Sequence, residues 1–270
     1  MTSSGLAVVT GASSGIGAEL ALLFAADGFD LLLTAEDGPG GDGLEPVAVR
    51  CRTTGVEAQT VRADLRTDDG VRALHDAVLA TGQPVEAAAV NAGIGLGGAF
   101  VDADLEDLLD VVRLNVASTV HLTRLLLPAM VARDAGRLLL TSSIASTMPG
   151  SYQAVYNASK SFVQSLAEAL QDELRNTGVS VTSLMPGPTE TNFFHRAGMD
   201  DTRIGQGPQD DAADVAQQGY AALMAGEDRV VAASAMTKAQ ELAAKVLPDK
   251  VKAALHRTMA EPRDEQGSGS

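Results

Sequence analysis

Cysteine, positive charge and long apolar runs are all scarce in this chain. One cysteine, Cys51, among 270 residues excludes an internal disulfide and fits a reducing compartment. Twenty Lys and Arg against 35 Asp and Glu leave a formal charge of −15. That balance excludes nucleic acid and anionic membrane surfaces as partners and reads as a solvated acidic exterior. No stretch reaches the roughly 18–20 apolar residues of a membrane span. Leu6–Val9 is too short for a signal peptide and has no basic region before it. The four histidines, His75, His121, His195 and His256, are scattered, so no metal site is expected. There is no internal repeat and no linker. The expectation is one cytoplasmic domain over residues 1–262 and a disordered tail over 263–270.

What the chain does have is 45% hydrophobic residues, enough for a large core. Short apolar runs alternate with helical periodicity, which predicts an α/β fold with a parallel sheet. Strands are expected at Leu6–Val9, Phe29–Thr34, Glu57–Val61, Glu86–Val90, Arg137–Thr141, Val179–Leu184 and Val230–Ala232. Helices are expected after Gly17, over about 67–80, 105–131 and 211–224, after Gly150, and along the tail from Met236 to Met259. The first strand runs straight into Thr10-Gly11-Ala12-Ser13-Ser14-Gly15-Ile16-Gly17 and then a helix. In that setting the exposed N–H groups of a helix start face the phosphates of a dinucleotide. Gly11 permits the tight turn, Gly15 lets a pyrophosphate approach, and Gly17 lets the helix pack on the strand.

The end of the second strand is where nicotinamide cofactors are sorted. A carboxylate there binds the adenosine ribose hydroxyls, whereas a 2′-phosphate wants an arginine. Ala35-Glu36-Asp37 offers two carboxylates and no base, which predicts NAD(H). NADP(H) stays open, since Arg50 or Arg52 could fold back. Asp64 reads either as an acceptor for the adenine amino group or as a helix N-terminal carboxylate. The fourth strand ends in Asn91-Ala92-Gly93, so two glycine turns share the carboxyl edge of the sheet, where open α/β sheets bind ligands.

Tyr156 and Lys160 are four residues apart on the helix after Gly150, on one face. An unperturbed phenol has a pKa of about 10 and is a poor acid or base at neutral pH. An ammonium one turn away favours the phenolate and brings the group nearer working pH. Ser143, just past the fifth strand, is placed to donate to a substrate oxygen. A bare Tyr-x-x-x-Lys pair is more often two surface residues, so the weight comes from the company it keeps. Asn115, among Val111, Val112, Leu114 and Val116, is either a satisfied core amide or a functional group. His121 reads as a packing residue. Residues 190–207 suit a lid over a ligand or a plain surface helix.

Taken in order, Thr10-Gly-Ala-Ser-Ser-Gly-Ile-Gly17, Asp64, Asn91-Ala-Gly93, Asn115, Ser143, Tyr156-x-x-x-Lys160 and Pro186-Gly187-Pro188-Thr189 resemble the short-chain dehydrogenases/reductases, in their compact single-domain branch. The likeness covers nearly the whole chain, down to the 13-residue separation of Ser143 and Tyr156. It implies a Rossmann-like doubly wound parallel sheet of about seven strands, order 3-2-1-4-5-6-7, with helices on both faces. It implies that Tyr156 exchanges the proton, Ser143 holds the substrate oxygen, Lys160 lowers the phenol pKa and binds the nicotinamide ribose, and Asn115 anchors a water. Gly11, Ser13, Ser14, Gly15, Ile16, Gly17, Glu36, Asp64, Leu65, Asn91, Ala92 and Gly93 would line the cofactor. Pro186, Gly187 and Thr189 would hold its nicotinamide end. The departure is Ala35, where typical NAD-using members carry Asp.

The substrate wall is expected from Ile94, Leu96, Ile144, Met148, Tyr152, Met185, Phe193 and Phe194. That wall is apolar and predicts a hydrophobic or neutral substrate. The leading expectation is therefore an oxidoreductase interconverting a secondary alcohol and a ketone. The alternatives are an NADPH-dependent carbonyl or 3-oxoacyl reductase and, from another class, a non-catalytic dinucleotide-sensing regulator. The resemblance also implies a homodimer or homotetramer formed through the helices that hold Asn115 and Tyr156.

Overall fold

The structure is a computed structural model that describes residues 4–36, 43–191, 193–232 and 248–262. Seven parallel strands form one sheet: β1 (Leu6–Thr10), β2 (Asp30–Ala35), β3 (Ala58–Arg62), β4 (Val85–Val90), β5 (Gly136–Thr141), β6 (Val179–Pro186) and β7 (Arg229–Ala232). Their spatial order, β3-β2-β1-β4-β5-β6-β7, is the expected one. β1 is buried along its whole length, as are five of the six residues of β2, and this is why both read as unbroken apolar runs. Crossover helices cover both faces.

One face carries α1 (Gly15–Ala26), α2 (Leu44–Arg52) and α9 (Ala212–Ala225), with Phe24 edge-on to both Phe29 and Tyr220. The other carries α3 (Asp68–Ala80), α5 (Ser118–Arg133) and α6 (Ala154–Leu174), closing over Leu32, Leu138, Leu140 and Val181. Each fully buried leucine in these layers contributes about 1.5–3 kcal/mol relative to exposure. Two short helices, α7 (Phe193–Arg196) and α8 (Arg203–Gln206), and the last helix, α10 (Asp249–Ala260), form a third small cluster around Phe194, Met199 and Ala260.

Three expectations change. The helix expected over 105–131 is α4 (Leu105–Val112), a π-helical turn (Arg113–Ala117) and α5, so the extra backbone residue falls at Asn115. The whole Leu105–Arg133 stretch is long and apolar enough, by length and composition, to cross a membrane, contrary to the sequence expectation. Here α5 packs on the sheet with Leu122, Leu126 and Met130 buried, as a core helix does. Helix α2 was not among the expected elements; its Pro46 falls in the first helical turn, where proline is tolerated. Asp37, the expected helix before residue 248 and the tail from 263 lie outside the described residues.

Candidate active site

The carboxyl ends of β1, β4, β5 and β6 open into one cavity of about 560 Å³, within the range of ligand sites. At one end lie Gly11, Ser13, Ser14, Gly15 and Ile16; at the other, Ile144, Met148, Phe193 and Phe194.

The glycine turn is shaped as its sequence demands. Gly11 and Gly15 have φ of +66° and +55°, and a Cβ on Gly11 would sit 3.0 Å from the Ala92 Cα. A Cβ on Gly17 would run into the Gly11 carbonyl and lie 2.7 Å from Asn91 Nδ2, so Gly17 serves packing and does not line the cavity. Ser14 caps α1 from an extended conformation without a side-chain hydrogen bond, and the first turn holds no acid. The first N–H groups of α1 are thus left for a ligand anion, which is how a pyrophosphate would fit. Thr10 Oγ1 ties β1 to β4, accepting from the N–H groups of Asn91 and Ala92 at 2.9 Å each. Asn91 donates to the Thr10 carbonyl (3.2 Å) and accepts from Thr141 Oγ1 (3.1 Å). It locks three strands at the point where they meet the cavity.

Ser143, Tyr156 and Lys160 converge at the middle of the cavity. Ser143 accepts from Ala145 N–H (3.1 Å), opening a 3-10 turn over Ile144–Thr147, and donates to the Pro186 carbonyl (3.4 Å). The Ser143 hydroxyl also hydrogen-bonds the Tyr156 phenol, which draws that pKa down, but burial outweighs it and pushes the phenol up to about 12. Lys160 is buried, and burial pushes its ammonium down to about 8. Its Nζ donates to the Thr141 carbonyl at 2.9 Å. A Cβ on Gly93 would lie 3.1 Å from both Lys160 Nζ and Asn115 Oδ1, so only glycine leaves this approach open.

Asn115 does not reach the cavity. Its Oδ1 accepts from Ile94 N–H, its Nδ2 donates to the Ile94 carbonyl, both at 2.9 Å, and Nδ2 also donates to Ser159 Oγ at 3.0 Å. The π-helical turn thus delivers a fully engaged amide that pins the loop after β4 to α6.

Glu36, Asp64, Leu65 and Ala92, expected beside the adenosine, all line the cavity. Neither Arg50 nor Arg52 is there; Arg52 is bound to the Ala58 carbonyl and to Glu45. Asp64 is no helix cap, since Thr67 caps α3. It instead grips Arg66, a residue the sequence reading passed over. Arg66 bonds Glu36, Asp64 and Asp110 together, and its hydrogen bonds hold the Asp64 carboxyl below its usual range.

The apolar wall departs from expectation at three residues. Met185 is fully buried inside β6, next to the cavity-facing Pro186, because successive strand residues face opposite ways. Tyr152 adopts a left-handed φ of +64° and donates to Glu261 at 2.6 Å, outside the wall. Leu96 sits on a loop drawn away by the Gly97 N–H to Ala197 carbonyl bond (2.9 Å) and is likewise absent from the lining. Pro186, Gly187 and Thr189 do line it, with Thr189 Oγ1 donating to the Gly187 carbonyl at 2.9 Å.

Sequence reasoning missed what α10 adds: Lys252, Leu255, His256 and Met259. Their i, i+3, i+4, i+7 spacing was the available signal. Lys252 Nζ is engaged by the Thr147 carbonyl and Asp249, both at 3.3 Å. His256 Nδ1 donates to the Ser151 carbonyl at 2.9 Å, and burial lowers its pKa.

Comparison with known proteins agrees with this arrangement. Residues 5–201 match the family described as short chain dehydrogenase. A putative ketoacyl reductase of Streptomyces coelicolor is 35% identical over 190 residues, 70% of this chain and 72% of that one. An oxidoreductase of Bacillus subtilis is 32% identical over 190 residues, 70% and 77% of the two chains. Among solved structures, a short-chain dehydrogenase of Sphingobium yanoikuyae in complex with NADPH superposes with a TM-score of 0.78 at 26% identity, over 97% of this chain and 98% of that one. A short chain dehydrogenase/reductase of Burkholderia phymatum in complex with NAD gives 0.79 at 28% identity, over 89% and 92%. The chain belongs to the short-chain dehydrogenase family and is an NAD(P)-dependent oxidoreductase acting on CH–OH groups.

Proposed function

We propose that the protein interconverts a secondary alcohol and a ketone with a hydrophobic or neutral body, using NAD(H) in preference to NADP(H). The observation that carries this reading is the Ser143–Tyr156 hydroxyl pair, set where the apolar wall meets the glycine turn, with Lys160 buried behind it.

The bound nicotinamide would supply or accept the hydride. The chain's own groups do the rest. The N–H groups at the start of α1 and the Gly11–Gly17 turn hold the pyrophosphate; Glu36 accepts from the adenosine ribose; Pro186, Gly187 and Thr189 support the nicotinamide end. Ser143 donates to the carbonyl oxygen. In reduction Tyr156 protonates that oxygen; in oxidation it takes the alcohol proton. Lys160 carries a positive charge below about pH 8 and would bind the nicotinamide ribose. Asn115 works at one remove, fixing Ile94 and α6 so that the hydroxyl pair keeps its aim. Segment 190–207, with the Phe193 ring centroid 5.2 Å from that of Tyr156 and tilted by 54°, is the cover over the substrate. Ile94, Ile144, Met148, Phe193, Phe194 and Leu255 favour an apolar body, and Lys252 already has Asp249 and the Thr147 carbonyl as partners.

Two lines favour a second reading, reduction of a 3-oxoacyl thioester: the Streptomyces coelicolor relative is a putative ketoacyl reductase, and a Nostoc relative, 28% identical over 198 residues, is a ketoacyl reductase. Exposed Leu105, Val112, Val120 and Phe162 on α4, α5 and α6 support a homodimer or homotetramer, and the use of a single, free and buried cysteine, Cys51, fits a cytoplasmic setting. The test is turnover of NADH with apolar ketones, of NADPH with 3-oxoacyl thioesters, and of NAD with the matching alcohols. Turnover in the parent that disappears in Tyr156→Phe supports an enzyme of this kind. Tight cofactor binding with no turnover of any carbonyl or alcohol would sink it and leave a dinucleotide sensor.

A further inference from the structure

Behind Glu36, Asp64 and Leu65, which line the cavity, one guanidinium outside the lining is held by three carboxylates that the end of β2, the β3–α3 connection and α4 bring together. Arg66 Nε lies 2.9 Å from Asp64 Oδ1, and Nη1 lies 3.0 Å from Asp110 Oδ2 on α4. Nη2 is shared between Glu36, past the end of β2, and Asp64 Oδ2 at 3.1 Å. Asp110 is in turn bound by Arg113 at 2.8 Å, which also holds Glu106 at 2.9 Å. The Arg66 side chain is about a quarter exposed (27%), so its pairs are only partly screened.

The three partners do not have equal standing. Asp64 and Asp110 take Nε and Nη1 and thereby aim the guanidinium plane. Glu36 takes the remaining edge, and Glu36 is a cavity-lining residue at the place where the ribose hydroxyls, and any 2′-phosphate on them, would lie. Arginine presents its five N–H donors as a fixed fork that matches a phosphate. With Glu36 ionised, a phosphate arriving there meets a carboxylate and finds the fork taken. Without that charge, the Nη2 hydrogen that Glu36 holds is released, while Asp64, through Nε and Nη2, and Asp110, through Nη1, still hold the fork in position.

We propose that Arg66 is a latent receptor for the 2′-phosphate of NADP(H), kept closed by Glu36. The inference rests on the NAD(H) reading above. It makes cofactor choice the property of a pair of residues 30 positions apart, and it assigns Arg66 a specificity role that neither its own position nor that of Glu36 reveals in the sequence. It also explains why the missing arginine after β2 does not by itself decide the matter: a base from the β3–α3 connection already stands behind Glu36.

The experiment is a titration of the parent, Glu36→Gln, Arg66→Gln and the double variant with NADH and with NADPH, followed by nicotinamide fluorescence. The readout is the ratio of the two affinities, in which general loosening of the site cancels. Glu36→Gln should move the ratio towards NADPH by tenfold or more, and the double variant should give back most of that gain. A gain that persists undiminished in the double variant means simple relief of repulsion and overturns the proposal, as does no gain at all. Arg66→Lys, which keeps the charge and loses the fork, serves where Arg66→Gln fails to fold; in the Glu36→Gln background it should give back part of the gain, and full retention overturns the proposal. A parent that already prefers NADPH refutes the NAD(H) reading. If Arg66→Gln then abolishes that preference, Arg66 is an open receptor and the closed state is refuted; if it leaves the preference intact, Arg66 is no receptor at all.

Discussion

Lys160 Nζ stands 5.9 Å from the centroid of the Tyr156 ring and is bound to the Thr141 carbonyl rather than to the phenol. The two groups share a helix face, yet burial drives their pKa values in opposite senses, up to about 12 and down to about 8. The pair therefore rests at neutral pH as phenol and ammonium, the protonation state suited to carbonyl reduction.

Removing the phenolic hydroxyl should remove the proton exchange and little else. Tyr156→Phe is expected to lower kcat by about 10²–10⁴-fold, the usual worth of a positioned acid or base, with cofactor affinity retained to within a few-fold. Steady-state kinetics beside a fluorescence titration separates the two.

The lysine has a signature of its own in pH. Carbonyl reduction should decline above about pH 8 as Lys160 loses its proton, and Lys160→Arg, charged throughout, should move that decline upward. Stability carries the matching sign. The folded-state pKa lies below the unfolded value of about 10.4, so the unfolded chain holds more protons between the two and stability rises with pH across that window. Lys160→Met should flatten this rise in denaturant melts taken from pH 7.5 to 10.5.

His256 gives an acid-side counterpart. Burial lowers its pKa in the folded state, so the folded form resists protonation and stability is lost as pH falls below the unfolded value of about 6.5. His256→Gln should make the melting temperature less sensitive to acid between pH 6.5 and 5.

Asn115→Ala would strip partners from the Ile94 N–H and carbonyl and from Ser159 Oγ. The expected cost is about 2–4 kcal/mol, with kcat falling as the loop after β4 loosens, read from urea melts and turnover together.

Gly17→Ala places a methyl against the Gly11 carbonyl and Asn91 Nδ2, neither of which is a flexible tip. Overpacking of about 1–3 kcal/mol is expected, together with weaker binding of both NADH and NADPH, since the glycine turn is what has to move.

Much of this molecule was readable from its residues, for identifiable reasons. The strand positions follow from short apolar runs, β1 and β2 above all, the sheet order from the likeness to the short-chain dehydrogenases, and the glycine turn and Tyr156/Lys160 pair from local spacing. The readings that changed depend on side-chain direction or distant contact. Met185 and Pro186 are neighbours, but only Pro186 faces the cavity. Tyr152 turns away because of one left-handed backbone angle. Arg66 shows no motif, because its meaning lies in where Glu36 and Asp110 are brought by β2 and α4. The expected lowering of the phenol pKa by Lys160 also yielded to burial, which acts on both groups and which spacing alone cannot weigh.

The outer wall of the cavity comes from α7, α8 and α10, while the hydroxyl pair and the glycine turn belong to the sheet edge. The stretch matched to the family ends at residue 201, and α10 begins at Asp249. The family-matched stretch therefore carries the hydroxyl pair, the glycine turn and the wall residues Ile94, Ile144, Met148, Phe193 and Phe194, and Ile204 and α10 complete the wall from beyond it. Exchanging α10 for the last helix of a relative would redraw one side of the cavity and leave Ser143, Tyr156, Lys160 and the Phe193–Phe194 side as they are.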